Sequence, residues 1–266
     1  MTRFRMEREM DGTAMEVDYR FRGPPHSGNG GYVSGLFAKH AGMDAAAEVT
    51  LRAPTPLGRP LSVLSTDDGE ASLMDGMTLV AAARPFEVDI DALPAATLEQ
   101  ARDATARSIG PDKHVLPECF VCGPGRAHGD GLRVFAGPLD PEDTGWTGAL
   151  AADWTPDASF ADADGLVATE FLWSALDCPT GYTALRPDGH GKGKNQSMLL
   201  GRIAVRIDRR PPVEEPCILV TKLIGVEGRK ITADGELRDV AGKTIAEARA
   251  LWITVDKDVL MANRTG

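Results

Sequence analysis

The chain has 266 residues, 29 of them basic and 39 acidic, giving a net charge of −10. Hydrophobic residues make up 42% and charged residues 26%, a globular composition that excludes a disordered, collagen-like or coiled-coil chain. No run approaches the ~20 apolar residues of a membrane helix. The acidic balance argues against a general nucleic-acid binder. Four cysteines are too few for a disulfide scaffold, and residues 1–10 lack the apolar core of a signal peptide. The expectation is a soluble, cytoplasmic protein of roughly two units of about 130 residues, or one large domain.

In chain order, the first predicted element is a helix over residues 31–42, opened by Asn29-Gly30-Gly31. A strand over 47–52, a proline corner ending at Pro60, and strands over 63–65, 70–74 and 77–83 follow. Asp67-Asp68-Gly69 and Asp75-Gly76 supply the turns. Residues 98–107 read as a short amphipathic helix in a linker. A second helix is predicted over 165–178, apolar on nearly every face and therefore buried, with Pro179 stopping it. Residues 188–195 form a glycine-rich basic insertion. A strand from Ile203, a second proline corner at Pro216, and strands over 217–225, 230–238 and 244–256 complete the chain. The two halves share one grammar: Val49 matches Val205, Pro60 matches Pro216 and Val63 matches Leu219, each at an offset of 156. The chain is therefore divided into residues 1–94, a linker over 95–118, and residues 119–266.

Three stretches carry a resemblance. Gly30-Gly31-Tyr32-Val-Ser-Gly-Leu is similar to the Gly-Gly opening of the hotdog helix. Cys119-Phe-Val-Cys122-Gly, followed by Gly131-Leu-Arg-Val-Phe, resembles the opening strand of thioesterase-like hotdogs. Residues 201–255 resemble the strand meander of that superfamily. Two such units in one chain resemble the double-hotdog acyl-CoA thioesterases. The resemblance implies an α+β fold of two tandem hotdogs, each an antiparallel sheet wrapped around a central helix, packed as a pseudo-dimer. It implies hydrolysis of an acyl-CoA or acyl-carrier thioester, a role in lipid metabolism, and no cofactor beyond the coenzyme A of the substrate. The expected partner is a small-molecule acyl thioester, with no nucleic acid or membrane, and a homodimer or higher homo-oligomer is compatible with the fold.

Such enzymes build a site across two units, one giving a glycine-rich helix N-terminus and the other a carboxylate. The chemistry needs donors for the developing oxyanion and a base or nucleophile. Carried over residue by residue, the first half offers His26, Asn29, Gly30 and Gly31, and the second offers Asp177. An acid at the end of a helix needs a reason other than the dipole, which favours cations there. Glu170 is the rival carboxylate. The reciprocal site is poor, because Asp162 and Asp164 stand at the second helix start and Lys39 and His40 replace a carboxylate in the first. One live and one degenerate site are expected. Tyr32, Leu166, Phe171, Leu172 and Trp173 are expected beside the acyl group. Lys192, Lys194 and Arg202, with Arg206, Arg209 and Arg210, are expected to meet the phosphates of coenzyme A.

Cys119 and Cys122 read as small residues on the opening strand, and Cys178 and Cys217 as core residues, so no metal is expected. A zinc set with His114 and His128, or a redox pair, is the other reading of the Cys-x-x-Cys spacing. Two further functions stay open. A non-catalytic acyl binder is favoured by the helix start Gly-Asn-Gly-Gly in place of His-Gly-Gly, and by the absence of a match to the Asp, Thr and Gln set of long-chain double-hotdog thioesterases. A hotdog hydratase or dehydratase would carry an Asp-x-Asn-Pro-x-His segment, which is absent.

Overall fold

The computed structural model describes residues 13–191, 193 and 195–261. The first half contains β1 (Thr13–Glu16), α1 (Gly30–His40), β2 (Ala46–Leu51), β3 (Pro60–Ser65), β4 (Ala71–Asp75) and β5 (Thr78–Pro85). The helix α2 (Leu98–Ala106) connects it to β6 (Gly137–Pro138), β7 (Leu150–Trp154), α3 (Thr169–Ala175) and α4 (Asp177–Tyr182). The chain then runs through β8 (Gln196–Ile207), β9 (Cys217–Glu227), β10 (Lys230–Asp239), β11 (Thr244–Asp256) and α5 (Lys257–Met261).

All strands join one antiparallel sheet in the order β1-β3-β4-β5-β2-β8-β11-β10-β9-β7-β6. The meander strands fall close to where alternation and turn residues place them. Their hairpins close through glycines such as Gly76 and Gly228, at φ 56° and 57°, where a side chain would be strained. The two halves meet at β2 and β8, with Ala47 opposite Val205 and Val49 opposite Ile203. Since 203 − 47 and 205 − 49 both equal 156, exchanging the halves by the sequence offset maps this ladder onto itself.

The helices α1 and α3 pack together with their buried faces under the central strands. Val33 and Phe37 of α1 and Leu172 and Trp173 of α3 are fully buried. The two helices run antiparallel and touch through glycines. A Cβ on Gly35 would stand 2.7 Å from Trp173 Cβ and 2.8 Å from Glu170 Cα, and one on Gly31 would stand 2.4 Å from Asp177 Cβ. The sparse aromatic residues gather at this junction: Phe21 stacks on Tyr32 at 3.9 Å between ring centroids, Phe120 and Phe171 pack on both, and Phe160 packs on Phe120 and Phe171. On the outer face of the sheet, Ala101 and Ala104 of α2 pack on Ala151, Ile218 and Val220, which accounts for the amphipathic spacing of the connecting segment. Among the described residues no helix is long and apolar enough to cross a membrane.

Three predicted elements differ, the first being β8, which begins at Gln196 rather than Ile203. The second helix begins at Thr169 rather than residue 165, flattens at Leu176 (φ −84°, ψ −7°) and resumes as α4 through Pro179. Pro179 is the third residue of α4, where its missing N–H would have no helical partner. Residues 119–123 form a turn, not a strand, closed by the Gly123 N–H on the Cys119 carbonyl at 2.8 Å. The sheet position against β9 is taken by β7.

The glycine contact makes a prediction. Gly35→Val should lower unfolding free energy in urea by about 1–3 kcal/mol, the usual cost of overpacking. Gly225→Ala, whose Cβ would meet nothing within 4 Å, should stay within about 0.5 kcal/mol of the parent.

Candidate active site

The site is built on the start of α1. Asn29 is its N-cap: the Asn29 Oδ1 accepts the Tyr32 N–H at 2.9 Å, which leaves the amide nitrogen to point outward from the cap. That nitrogen donates to Asp177 Oδ2 at 2.8 Å, and the Gly31 N–H donates to the same oxygen at 3.0 Å. The break at Leu176 makes Asp177 the first residue of α4 rather than the end of the preceding helix, so the reason sought for an acid at a helix C-terminus disappears. A negative charge is favoured where it stands.

Asp177 is 1% exposed. Burial pushes its carboxyl up to about 7; the Gly31 N–H pulls it back, Cys119 raises it, and the Asn29 amide lowers it again. Its second oxygen, Oδ1, is buried and has no hydrogen-bond partner among the described residues. The two donors expected to hold an oxyanion are therefore occupied by the carboxylate itself.

Three thiols border this carboxylate. Cys119, Cys122 and Cys178 place their sulfurs within 4.8 Å of one another. The Cys119 and Cys178 sulfurs are 3.7 Å apart, and Asn29 Nδ2 lies 3.7 Å from the first and 3.8 Å from the second. Sequence reasoning assigned Cys178 to the core, yet it joins Cys119 and Cys122; its position beside Asp177 was the available signal. A small cavity of about 80 Å³ opens next to the thiols, walled by His114, Tyr182, Met198 and Trp252. His114 Nε2 and the Tyr182 hydroxyl share a 2.8 Å hydrogen bond, and burial lowers the imidazole pKa. Sequence reasoning offered His114 only as a zinc ligand and did not single out Tyr182. His128, the other histidine of the proposed zinc set, is 77% exposed and faces Asp157 at 3.3 Å.

The remaining candidates are dispersed. Glu170 is buried at the opposite end of the α1–α3 contact, paired with Lys39 at 3.0 Å, and Lys39 also reaches Asp162 at 3.5 Å. The expected degenerate end is thus closed by ion pairs. His26 is exposed in the turn before α1. Gly30 faces Leu200, against which a Cβ would stand at 2.9 Å. Tyr32, Phe171, Leu172 and Trp173 are buried against neighbouring side chains, and Trp173 donates to the Asp44 carbonyl at 3.2 Å. The room expected beside α3 for an acyl chain is therefore filled by protein.

Arg202 lies on the outer sheet face, 3.6 Å from Glu48. Arg206, Arg209 and Arg210 pair with Asp208 and Glu247, with Asp239, and with Asp162 and Asp164. Each arginine of the expected phosphate patch thus lies within 4 Å of a carboxylate. Lys192 and Lys194 lie outside the described residues.

No protein-family model and no curated protein matches the chain. Solved structures do. The tesB protein MAP1729c of Mycobacterium avium subsp. paratuberculosis matches at TM-score 0.60 and 10% identity, over 92% of this chain and 96% of that one. Acyl-CoA thioesterase II TesB2 of Mycobacterium marinum matches at TM-score 0.59 and 12% identity, over 94% and 95%. A conserved protein of unknown function with a hotdog fold from Alicyclobacillus acidocaldarius matches at TM-score 0.60 and 11% identity, over 94% and 95%. The likeness shows the fold: over nearly its whole length the chain has the hotdog architecture of TesB-type thioesterases.

Asn29→Ala removes an N-cap, worth ~1 kcal/mol, and strips a donor from a buried carboxylate, worth ~1–3 kcal/mol. Together the loss in unfolding free energy should be about 2–4 kcal/mol by denaturant titration. His26→Ala, at an exposed turn, should change it by less than about 0.5 kcal/mol.

Proposed function

We propose that the chain is two fused hotdog units packed as a pseudo-dimer, and that it hydrolyses an acyl-CoA or acyl-carrier thioester at the junction of Asp177 with the start of α1. The reading rests on one observation above all. A carboxylate from the second half is held at 2.8 and 3.0 Å by the helix start of the first, with one oxygen left unpartnered. The symmetric register of the β2–β8 seam supports the pseudo-dimer, and the TesB-type fold supports thioester chemistry in general.

In this mechanism Asn29 and Gly31 fix the orientation of the carboxylate through Oδ2, and Oδ1 accepts a proton from water as general base. The water oxygen bonds to the thioester carbonyl carbon, the carbon–sulfur bond breaks, and the departing thiolate takes up a proton. The products are a carboxylic acid and a free thiol. Glu170 takes no part, because Lys39 holds it at the far end of the helix pair. The four free cysteines fit a reducing compartment such as the cytoplasm.

One observation favours a second reading, binding of an acyl thioester without turnover. Asp177 is nearly inaccessible and itself occupies the donors an oxyanion would use. A panel of acyl-CoAs of graded length, followed by loss of thioester absorbance, separates the two. The hydrolase reading expects turnover of at least one member, and Asp177→Asn should reduce kcat/KM by about 10²–10⁴, the usual worth of a positioned base. Calorimetric binding without turnover of any member would establish the binder. Turnover unaffected by Asp177→Asn would remove the carboxylate from the chemistry.

A further inference from the structure

We infer that Cys119, Cys122 and Cys178 form a binding site for one thiophilic divalent cation, with Zn²⁺ as the reference ion and a fourth coordination position open to the cavity beside His114 and Tyr182. The inference does not rest on the thioester reading, since ion uptake is measured without turnover.

The spacing is the primary observation. Tetrahedral zinc with sulfur ligands at about 2.3 Å requires sulfurs about 3.8 Å apart. The Cys119 and Cys178 sulfurs are 3.7 Å apart, and Cys122 completes a triangle with every edge within 4.8 Å. All four cysteines are free, so no disulfide competes in this state. The ligand atoms come from two segments that are 56 residues apart in sequence, 178 − 122, yet converge without rearrangement.

The local backbone is already shaped around a metal thiolate. Cys119-Phe-Val-Cys122-Gly123 is a tight turn closed by the Gly123 N–H on the Cys119 carbonyl at 2.8 Å. The turn closes only with glycine next: a Cβ on Gly123 would stand 2.4 Å from the Cys119 carbonyl oxygen and 2.5 Å from that of Pro117. The Asn29 amide places a donor at 3.7 and 3.8 Å from the Cys119 and Cys178 sulfurs, the arrangement by which an outer shell orients metal ligands.

Among the described residues the cluster holds three ligand atoms within that radius and no fourth. His114, which sequence spacing offered as a ligand, is engaged with the Tyr182 hydroxyl. The remaining position faces the cavity, where a solvent molecule would complete the tetrahedron, as in zinc sites with an open position. Binding displaces the thiol protons to solvent. The ion would tie the turn carrying Phe120 to α4, immediately beside Asp177.

The test uses the full-length chain, reduced and stripped with a chelator. It is titrated with Zn²⁺ against a chromophoric competitor and, separately, with Co²⁺. One ion per chain is expected, with near-ultraviolet thiolate-to-cobalt charge transfer and the intense visible bands of tetrahedral cobalt. Cys119→Ser, Cys122→Ser and Cys178→Ser should each weaken binding by ~10-fold or more, while Cys217→Ser should leave it unchanged. The cobalt spectrum of the parent chain reports the thiolate ligands even if a serine variant fails to fold. No uptake by the parent, a weak octahedral cobalt spectrum, or an equal loss in Cys217→Ser would overturn the site.

Discussion

The close antiparallel contact of α1 with α3 and α4 governs the rest of the molecule. Gly31 and Gly35, four residues apart, lie on one face of α1 and leave no Cβ where the partner helix passes. Adding one at either position would place it well inside contact distance of a Cβ on the other side. The β2–β8 ladder holds the two halves in register, so the helices meet at a fixed depth. That depth brings the first N–H groups of α1 into hydrogen-bond range of a side chain almost 150 residues later, at 3.0 Å for Gly31 to Asp177.

The same packing produces two chemically unlike ends. The halves are related by the 156-residue offset, and a symmetric pair of helices would present two equivalent junctions. At one, Lys39 neutralises Glu170 and approaches Asp162, and Thr169 donates to Asp44 at 3.2 Å. Charges there are satisfied within the protein, and a self-neutralised pair has little reason to bind anything else. At the other, Asp177 is met by an amide, a backbone N–H and a thiol, with one oxygen left over. Neutral donors orient a carboxylate without cancelling its charge. The chemistry is concentrated at one end because ion pairs close the other.

Much of this was legible in the sequence where the physical signal was local. Alternation with glycine-bearing turns located β3–β5 and β9–β11, and the offset of 156 relates the two strands of the central ladder. The spacing of Ala101 and Ala104 marked α2 as amphipathic, and the carry-over of Asn29, Gly31 and Asp177 named three residues that do meet. What failed depended on tertiary context. Pro179 reads as a helix stop, but a break one turn earlier makes it a tolerated first-turn residue. The Cys-x-x-Cys stretch resembles an opening strand, yet its backbone folds into a turn with the Cys119 carbonyl against Gly123. The run of arginines from 202 to 210 looked like an anion site because most of the carboxylates that neutralise it lie in distant parts of the sequence. Aromatic residues expected to line an acyl channel instead pack on one another, since ring-to-ring burial fills space that a helix-side pocket would need.

Asn29 serves the helix start, the carboxylate and the thiols with one side chain. The helix start reads Gly-Asn-Gly-Gly. At this position the residue must accept one hydrogen bond to cap α1 and donate others to a carboxylate and to sulfur. A carboxamide does both, with an acceptor oxygen and two donor hydrogens. Aspartate would cap but repel Asp177, serine has a single hydrogen to give, and alanine has neither function. The amide orientation is fixed by the same network: rotated by half a turn, its oxygen would face Asp177 Oδ2 and its NH₂ would face the Tyr32 N–H, losing both bonds. One side chain thus couples the start of α1, the carboxylate of α4 and the thiol cluster, so that none of the three can shift without the other two.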